Sequence, residues 1–502
     1  MLLQILLIIV LVIWWLVSRW QRRGMFKLWE QLRNDIKMLP IVGHAYLFLG
    51  TDEDRMKVFQ KFGIESYKTG GLLALWQGSR LYINISDPEI AELVLKTCLE
   101  KDDVLKVSRM LTGNGSVFAP VPIWRPRRKF LAPTFSPKNL VQFAQIFSHQ
   151  SNVMVDQLKG AAGKGPFSIW KYITTYSMDS VCESTLGIQA NSQRQPDQPF
   201  LKAFEEICKL DSARICQPWL HNDALYKMTP YYRQHVVHRA ELCGFIDRII
   251  KKKRHSMKEE KYKQPESDQH NQMKTFLELL IESTGGEQGF SDLELQEETL
   301  VLVLAGTDTS AVGTAFTALM LSRHPEVQEK VYEELQEVFD NSDRPIVVAD
   351  LPRLRYLDAV IRETLRLYPP APVIVRKAMR DLPLPSGLIL AKNCGLVVNI
   401  WAINRNPKYW GEDSMVYRPE RWLESTLAHP AAFMSFSYGP RGCIGYRYAM
   451  MSMKTAVATL LRHYRLLPAA PVRDKQASLR TKFDVMMKHV DNFEVQLEER
   501  GK

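Results

Sequence analysis

The chain has 502 residues and carries 66 lysine and arginine residues against 55 aspartate and glutamate residues, so its formal net charge is +11. Its hydrophobic content of 46% excludes a disordered or fibrous protein, and its length predicts one large multilobed domain or two domains. The positive charge favours an acidic partner or an anionic membrane surface. Nucleic acid is not indicated, because no short window combines dense basic residues with aromatic ones.

The N-terminal segment, Met1–Val17, is almost wholly apolar. A run of about 17 apolar residues is at the short end of what crosses a bilayer. Trp14, Trp15 and Trp20 stand where an interfacial aromatic belt would lie, and the basic residues that follow direct the downstream chain to the cytosol. A cleaved secretory signal is the alternative, but it would carry its positive charge before the apolar run. We therefore expect a single transmembrane anchor in residues 1–20.

A polar linker and hinge, residues 21–43, is expected between this anchor and a main domain of residues 44–502. Within the main domain, apolar and polar residues alternate loosely over Leu81–Ile85, and turn residues bound this segment on both sides, which predicts a strand. Pro88 then opens a short helix. Residues 104–122 mix small polar residues and prolines and predict a loop.

Helical spacing dominates from Val141 to Leu367, and short β-like runs such as Leu396–Ile400 come after Pro369. Residues 251–273 are rich in charged residues with almost no apolar content, which predicts a solvated loop between helices. The chain is therefore expected to be mainly α with small β-sheets.

The longest predicted helix runs from Ser291 to His324. Ser291 and Glu294 form a capping-box pattern at its start, and Pro325 ends it. Its middle, Ala305–Ser310, contains glycine and polar residues that are poor choices within a helix. One interpretation is a buried helix that tolerates these residues. The other is a functional groove, because locally unfavourable residues inside a well-formed helix often mark a site.

Seven cysteines are scattered along the chain without CxxC pairs, which favours a reducing compartment over a disulfide framework or a zinc ribbon. One of them, Cys443, lies in a glycine-punctuated stretch, Phe436–Gly445, that precedes a predicted helix. Glycines let backbone amides approach a sulfur, and a helix start adds positive potential, so this setting favours a metal-bound thiolate. A buried structural cysteine is the alternative, although chance would rarely assemble this pattern.

The pattern F-x-x-G-x-R-x-C-x-G resembles the haem-binding loop of the cytochromes P-450, the haem-thiolate monooxygenases, and the pattern A-G-x-D-T-S resembles the oxygen groove of their long central helix. The resemblance implies that Cys443 is the axial ligand of a haem iron. It also implies that Phe436 covers the sulfur and that Arg441 contacts a haem propionate.

In the long helix, the same resemblance implies that Ala305 and Gly306 line the groove above the haem. Thr309 and Asp308 are then the alcohol and the acid that manage protons during catalysis.

Further motifs match the family in the same order along the chain. Trp124 and Arg128, in W-x-x-x-R, match its propionate-binding helix, in which Pro126 is expected near the start. Arg376 matches the next propionate contact. A structural network implied by the family supports the loop behind the haem, and its members are Glu363, Arg366 and Arg421.

The segments 124–129 and 178–185 resemble the fatty-acid ω-hydroxylase branch and its insect relatives. Members of that branch that bind haem covalently carry a glutamate directly before the groove glycine, where this chain has Ala305. We therefore expect haem b bound non-covalently. By family position, the candidates for contact with a small apolar substrate are Val117, Phe118, Leu302, Ala305, Val373, Ile374 and Phe483.

The resemblance implies a monooxygenase in the endoplasmic reticulum membrane, fed with NADPH-derived electrons by a flavoprotein reductase, with cytochrome b5 as a second candidate partner. Four basic residues are candidates for the reductase-docking face, although solvated charge is an equal alternative: Arg127, Lys129, Arg447 and Lys454. Two other functions stay open at this stage. One is a haem-thiolate isomerase or dehydratase that rearranges peroxides without external electrons, and the other is a non-enzymatic membrane haem-binding protein.

Overall fold

The computed structural model describes residues 2–195, 197–263, 275–283, 290–340, 342–424 and 426–501. In the N-terminal half the helices are α1 (Leu2–Gln21), α2 (Arg23–Gln31), α3 (Asp52–Tyr67), α4 (Pro88–Thr97), α5 (Arg109–Thr112), α6 (Val121–Leu131), α7 (Pro137–Leu158), α8 (Trp170–Val181), α9 (Pro199–Cys216), α10 (Asp223–Lys227) and α11 (Pro230–Lys263). They are followed by α12 (Phe276–Glu282), α13 (Asp292–Arg323), α14 (Pro325–Phe339), α15 (Arg355–Leu367), α16 (Ile400–Ile403), α17 (Pro407–Trp410), α18 (Arg421–Glu424) and α19 (Tyr446–His463).

The strands are β1 (Leu72–Gln77), β2 (Arg80–Ile85), β3 (Phe167–Ser168), β4 (Val373–Lys377), β5 (Leu382–Pro383), β6 (Ile389–Leu390), β7 (Gly395–Asn399), β8 (Tyr464–Pro468), β9 (Thr481–Asp484), β10 (Met486–His489) and β11 (Glu494–Glu499). The largest sheet has the order β1-β2-β7-β4, in which only β2 and β7 are parallel. Another sheet has the order β3-β11-β8, and β5–β6 and β9–β10 are antiparallel pairs. The predicted mainly α fold with small sheets is confirmed.

Helix α13 runs through the centre of the protein, as the sequence predicts. Its first turn has a complete capping box, in which Ser291 accepts a hydrogen bond from the Glu294 amide and Glu294 accepts one from the Ser291 amide. The helix is buried over most of its length and packs against α8, α15 and α19. Phe316 at its core stacks on Tyr368, with ring centroids 4.8 Å apart. A helix buried on all sides explains why its apolar residues show no single face.

Helix α1 has the length and hydropathy to span a membrane, and no part of Gln4–Gln21 is covered by the rest of the protein. Helix α13 passes the same test, but it is largely buried and is therefore a core helix. Helix α2 follows α1 after a single residue, and its Met25 and Leu28 are buried against the large sheet. Part of the expected linker, residues 21–43, is therefore packed on the body and is not a free connection.

Three local expectations change in the structure. Residues 251–263 continue α11 as a helix, in which Lys253 pairs with Glu278, whereas residues 264–273 lie outside the described residues. The expected loop 104–122 contains the short helix α5 and the start of α6. Because α6 begins at Val121, Pro126 lies inside the helix and not near its start, where a proline removes one backbone hydrogen bond and crowds the carbonyl one turn before it.

Candidate active site

A cavity of ≈ 320 Å³ lies at the centre of the protein, between the middle of α13 and the loop that precedes α19. Residues of α6, α8 and β4 complete its walls. Apolar side chains such as Val301, Leu302 and Leu365 form much of the lining, and Cys443 lies among them. A mostly apolar cavity with few polar groups is the usual form of a site for an apolar ligand.

The loop before α19 presents Cys443 to this cavity. The Cys443 amide donates to the Phe436 carbonyl at 2.9 Å, which closes the loop. Gly439 takes φ +72°, and a Cβ there would lie 2.9 Å from the Leu95 carbonyl oxygen, so only glycine fits this position. Phe436 also lines the cavity and packs edge-on against Tyr446, the first residue of α19. Among the cysteines of the chain, all of which are free, Cys443 alone has an exposed side chain, and the space it faces is the cavity.

The electrostatics of Cys443 differ from the sequence expectation. Burial raises the pKa of its thiol, while the Gly445 amide and the Arg128 guanidinium lower it by a smaller amount. The glycine loop therefore does not by itself favour the thiolate. A metal cation bound to the sulfur would supply the missing stabilisation, because the charge of a metal deprotonates a thiol that coordinates it.

Cationic side chains line the cavity beside this loop. Arg441 lies over the Trp124 ring, with its guanidinium carbon 4.4 Å from the ring centroid, and donates to the Ala119 carbonyl at 2.8 Å. Within the part of the chain that the structure describes, its Nε and Nη1 have no hydrogen-bond partner, and neither does Nε of the buried Arg376. The pKa of both guanidinium groups is lowered to about 10, and burial is the largest cause. Unpartnered buried guanidinium nitrogens indicate a place for anionic groups of a ligand.

One stripe of α13 faces the cavity. Glu298, Leu302, Ala305 and Thr309 all line it, and their spacing of three or four residues places them on one helical face. The Thr309 hydroxyl donates to the Ala305 carbonyl at 2.7 Å. This bond holds the hydroxyl oxygen at the cavity wall.

Asp308 does not face the cavity, because one residue along a helix turns the side chain by about 100° from Thr309. It is buried, and its Oδ1 lies 3.2 Å from Nζ of Lys488 in β10. Its Oδ2 has no partner. Burial raises the pKa of Asp308, and Lys488 opposes this shift. The predicted alcohol and acid are thus adjacent in sequence but face different sides of the helix.

Gly306 also lines the cavity, and it lies against helix α8. A Cβ at this position would lie 2.9 Å from Cγ2 of Val181. The glycine therefore allows α13 to approach α8 closely.

An ion pair at the cavity edge was not predicted from sequence. Arg127 donates to Glu298 at 2.7 Å and to Glu294 at 2.6 Å, and Glu298 also accepts from the Ser116 hydroxyl. This network joins the start of α13 to α6. The spacing of seven residues between Glu298 and Ala305 was the available signal, because it places Glu298 on the same face of the helix.

The predicted structural network forms in the structure as buried contacts. Glu363 accepts two hydrogen bonds from Arg366 at 2.8 Å each and one from Arg421 at 3.0 Å. Burial raises the pKa of Glu363, but the two arginines outweigh it and lower the pKa. Arg366 also donates to the Asn404 carbonyl, and the Asn404 side chain binds Ser435, one residue before the cysteine loop. The network therefore reaches the segment that presents the cysteine.

The substrate candidates divide into two groups. Val117, Leu302, Ala305 and Ile374 line the cavity, whereas Phe118, Val373 and Phe483 are absent from its lining as far as the structure describes the chain. Strand alternation separates Val373 from Ile374 and Arg376, which share one face of β4. The Phe483 ring packs instead edge-on against Phe59 in the core, with centroids 4.9 Å apart.

The four basic candidates for reductase docking also fall into two groups, exposed and buried. Lys129 and Arg447 are exposed. Arg127 is buried in its pair with Glu298, and Lys454 is buried, with Nζ 2.9 Å from Asp358 and 3.1 Å from the Leu351 carbonyl. Arg127 and Lys454 are therefore withdrawn as docking residues, because their charges are satisfied inside the protein.

Comparison with known proteins decides the family. A sequence model of the family described as Cytochrome P450 matches residues 35–496. The chain belongs to the cytochrome P450 family. It is 32% identical over 436 residues to Cytochrome P450 4c21 of Blattella germanica, which covers 85% of this chain and 86% of that protein.

Two other relatives extend this similarity. The chain is 31% identical over 461 residues to Cytochrome P450 4d2 of Drosophila melanogaster, with 88% and 91% of the two chains covered. It is also 31% identical over 450 residues to Cytochrome P450 4V2 of Homo sapiens, with 87% and 85% covered. The resemblance to the ω-hydroxylase branch and its insect relatives is confirmed. Family membership supports a haem-thiolate monooxygenase and hence an oxidoreductase.

The residues of this cytochrome P450 cavity fit a haem. The Cys443 sulfur is open to the cavity, as a thiolate ligand would have to be, and apolar walls suit the macrocycle. The unpartnered nitrogens of Arg376 and Arg441 suit the two propionates, which need cationic partners when they are buried.

Proposed function

We propose that this cytochrome P450 inserts one atom of O₂ into a small apolar substrate, either lipid-like or xenobiotic. One oxygen atom enters a C–H bond, and the other leaves as water after the uptake of two electrons and two protons. NADPH supplies the electrons through a membrane-bound flavoprotein reductase. The single observation that carries the proposal is the exposed Cys443 at the floor of an apolar cavity that also contains unpartnered guanidinium groups.

Haem bound to Cys443 would supply the binding and reduction of dioxygen. Trp124, Arg128, Arg376 and Arg441 would hold its propionates, and Phe436 would cover the ligating sulfur. All of these residues line the same cavity as Cys443. Ala305 lacks a carboxylate, so the haem would be bound without a covalent ester link.

Thr309 and Asp308 would divide the proton transfer between them. The Thr309 hydroxyl lies at the cavity wall and would give a proton there. Asp308 lies behind it with one free carboxylate oxygen, Oδ2, and would resupply the hydroxyl through water after a side-chain rotation. The buried Lys488 would oppose protonation of the Asp308 carboxylate until that rotation.

Binding of the substrate would depend on the apolar part of the lining. Val117, Leu302 and Ile374 lie on different elements around the cavity and would contact it from separate sides. Ala305 leaves the space above the iron open, so this lining supports oxidation of an apolar C–H bond without specifying a terminal carbon.

The N-terminal helix supports a membrane location. We propose that residues 1–20 anchor the protein in the endoplasmic reticulum membrane and that the domain of residues 44–502 faces the cytosol. The basic residues in the last turn of α1 and directly after it, Arg19, Arg22 and Arg23, agree with this orientation. The exposed Lys129 and Arg447 are the remaining candidates for docking of the reductase or of cytochrome b5.

The first test is the spectrum of the reduced protein with carbon monoxide. A strongly red-shifted Soret band is expected, because it reports a thiolate opposite the carbon monoxide. Cys443→His should retain haem and lose this band, whereas Cys98→Ser, at a cysteine outside the cavity, should keep it. A red-shifted band in Cys443→His would overturn the ligand assignment.

The second test is the dependence of product formation on NADPH and the reductase. A monooxygenase requires both and consumes oxygen, whereas an isomerase or dehydratase converts peroxides without them. A membrane haem-binding protein would bind haem without consuming oxygen with any substrate. The alternatives are less favoured, because peroxide rearrangement does not need the Asp308–Thr309 pair.

A further inference from the structure

One buried carboxylate in the cavity wall has no part in the proposed haem site. Glu298 is 1% exposed and lines the cavity on the same face of α13 as Ala305. It lies two helical turns before Ala305, so the rise of the helix separates the two residues by about 10 Å. The apolar cavity therefore has an acidic group in its wall at about this distance from the residue above the proposed iron.

The Glu298 carboxylate has room for one more hydrogen bond. Its Oε1 accepts from Nη1 of Arg127 at 2.7 Å and from the Ser116 hydroxyl at 2.9 Å. Among the described residues, its Oε2 accepts only from the Ser116 amide, at 3.2 Å. A carboxylate oxygen accepts about two hydrogen bonds, so Oε2 keeps an open position. Because the open position is an acceptor, it selects a ligand that donates.

The charges at this part of the wall favour a cation. Arg127 is shared between two carboxylates, since its Nη2 also lies 2.6 Å from Oε1 of Glu294. One guanidinium and two ionised carboxylates leave an excess of one negative charge. Burial raises the pKa of Glu298 by more than Arg127 and Ser116 lower it. A second cation would therefore stabilise the ionised carboxylate, and an anionic ligand would be repelled.

The wall around Glu298 is otherwise apolar. Val301 and Leu302 follow it within about one turn of α13, and Val117 comes directly after Ser116; all three line the cavity. An isolated polar group in an apolar cavity fixes the orientation of a ligand that has one polar end. The wall thus suits a molecule with an apolar body and a single cationic donor.

We propose that Glu298 and Ser116 form a recognition site for the protonated amino group of an amphipathic amine substrate. The ammonium N–H donates to Oε2 of Glu298, and the apolar body extends along α13 toward Ala305. The oxidised carbon then lies about 10 Å from the nitrogen. This inference rests on the proposed monooxygenase function and narrows its substrate class. A fatty acid in the same orientation would place its carboxylate against Glu298 and would bind less tightly.

The test compares ligands that share one alkyl chain: N,N-dimethyldodecylamine, dodecane and dodecanoate. A tertiary amine is chosen because it is a poor ligand of iron. Binding to the full-length holoenzyme in nanodiscs is measured by the change of the Soret band. Wild-type protein should bind the amine at least about tenfold more tightly than dodecanoate, because only the amine forms a charge-assisted hydrogen bond. Glu298→Gln should lose this preference and bind dodecane as the wild type does.

A neighbouring carboxylate provides the matched control. Glu297 does not line the cavity, but it contacts the same loop, since a Cβ at Gly113 would overlap its Oε1. Glu297→Gln should keep the preference for the amine. In Glu298→Gln, Arg127 retains Glu294 and the Asn114 carbonyl as partners, so its charge is not left alone.

The three ligands separate recognition of the amine from damage to the wall. An equal loss of affinity for all three in Glu298→Gln would show that the carboxylate only holds the loop of Ser116, and it would overturn the proposal. Equal binding of the amine and dodecanoate by the wild type would do the same and would leave the monooxygenase assignment in place. Absence of thiolate-ligated haem in the wild type would instead remove the proposed function and the amine site together.

Discussion

Nζ of Lys488 lies 3.2 Å from Oδ1 of Asp308, so the central helix is joined by an ion pair to a hairpin formed near the C-terminus. The same Nζ lies 3.8 Å from Asp484 and 5.1 Å from the centroid of the Trp170 ring. Both members of the pair are buried. The charge state of Asp308, the proposed acid, therefore depends on a residue that is distant in sequence and does not line the cavity.

Replacement of Lys488 should impair proton delivery. In Lys488→Met, burial would raise the pKa of Asp308 without opposition, and the carboxyl would stay protonated and fixed. Turnover should fall about tenfold or more, and more of the consumed oxygen should be released as peroxide. Lys482→Met, on the paired strand β9, is the control and should keep coupled turnover. Unchanged coupling in Lys488→Met would contradict the role given to the pair.

Loss of the buried acid Glu363 should prevent haem incorporation. Glu363→Ala leaves Arg366 and Arg421 without their shared carboxylate, and a buried pair broken in this way costs about 3–5 kcal/mol. The support of Asn404 for the segment before Cys443 would be lost with it. The measurement is haem content per protein in membranes. Glu420→Gln removes a partly exposed carboxylate that binds Lys330 and Tyr356, and it should retain haem. Normal haem content in Glu363→Ala would refute the network.

The attachment of haem should depend on position 305. Wild-type protein should release its haem into acidic organic solvent, because Ala305 offers no carboxylate. Ala305→Glu places a carboxylate at the cavity-lining position directly before Gly306. During turnover, a fraction of the haem should then remain with the denatured protein in mass spectrometry. Leu302→Glu, one turn earlier on the same face, is the control and should release all of its haem.

Stability should depend on pH through Asp211. Burial raises the pKa of this carboxyl to about 7, against an ordinary value of 3.8. The folded state therefore keeps a proton that the unfolded chain releases, so the contribution of Asp211 to stability falls as pH rises from about 4 to 7. Asp211→Asn removes the titration and should be more stable at pH 8, by at most about 4 kcal/mol, with no gain at pH 4.

Thermal unfolding of the two proteins at pH 4 and pH 8 measures this effect. Asp223→Asn is a matched control, because Asp223 pairs with Arg214, whose charge also acts on Asp211, but Asp223 is exposed. It should show no gain that depends on pH. An equal gain at both pH values in Asp211→Asn would show that the carboxyl is not the titrating group.

Reductase docking should depend on the exposed basic residues alone. Lys129→Glu and Arg447→Glu should each weaken docking and so raise the apparent dissociation constant of the reductase, and the effect should shrink at high salt. Lys57→Glu, at an exposed position on α3, should leave this constant unchanged. Lys454→Glu places a negative charge beside Asp358 and should lower stability instead of docking affinity. Unchanged affinity in both Lys129→Glu and Arg447→Glu would exclude this face.

Short-range patterns were sufficient to locate much of the site. The capping box of Ser291 and Glu294 predicted the start of α13, and the spacing of Glu363 and Arg366 predicted a pair on one helical face, because both depend on helix geometry alone. The motif around Cys443 predicted the residue that faces the cavity.

Contacts between distant segments were not predictable from these patterns. Lys488 reaches Asp308 from a hairpin whose packing depends on the whole fold, and Ser116 reaches Glu298 from the loop before α6. Phe483 was assigned to the substrate by family position, but its side chain turns toward Phe59. The apolar character of a residue does not predict whether its side chain faces the core or the cavity, since core contacts and ligand contacts select the same residue types.

The short connection between α1 and α2 has a mechanical consequence. Arg22 is the only residue between the two helices, and its side chain donates to the Ser79 carbonyl at 3.1 Å in the turn between β1 and β2. Since Met25 and Leu28 hold α2 on the large sheet, the connection from α1 to the main domain is short and rigid. An α1 seated in lipid would keep that turn near the headgroups, so every copy of the enzyme would present the same side to the bilayer and would draw its substrate from the same depth.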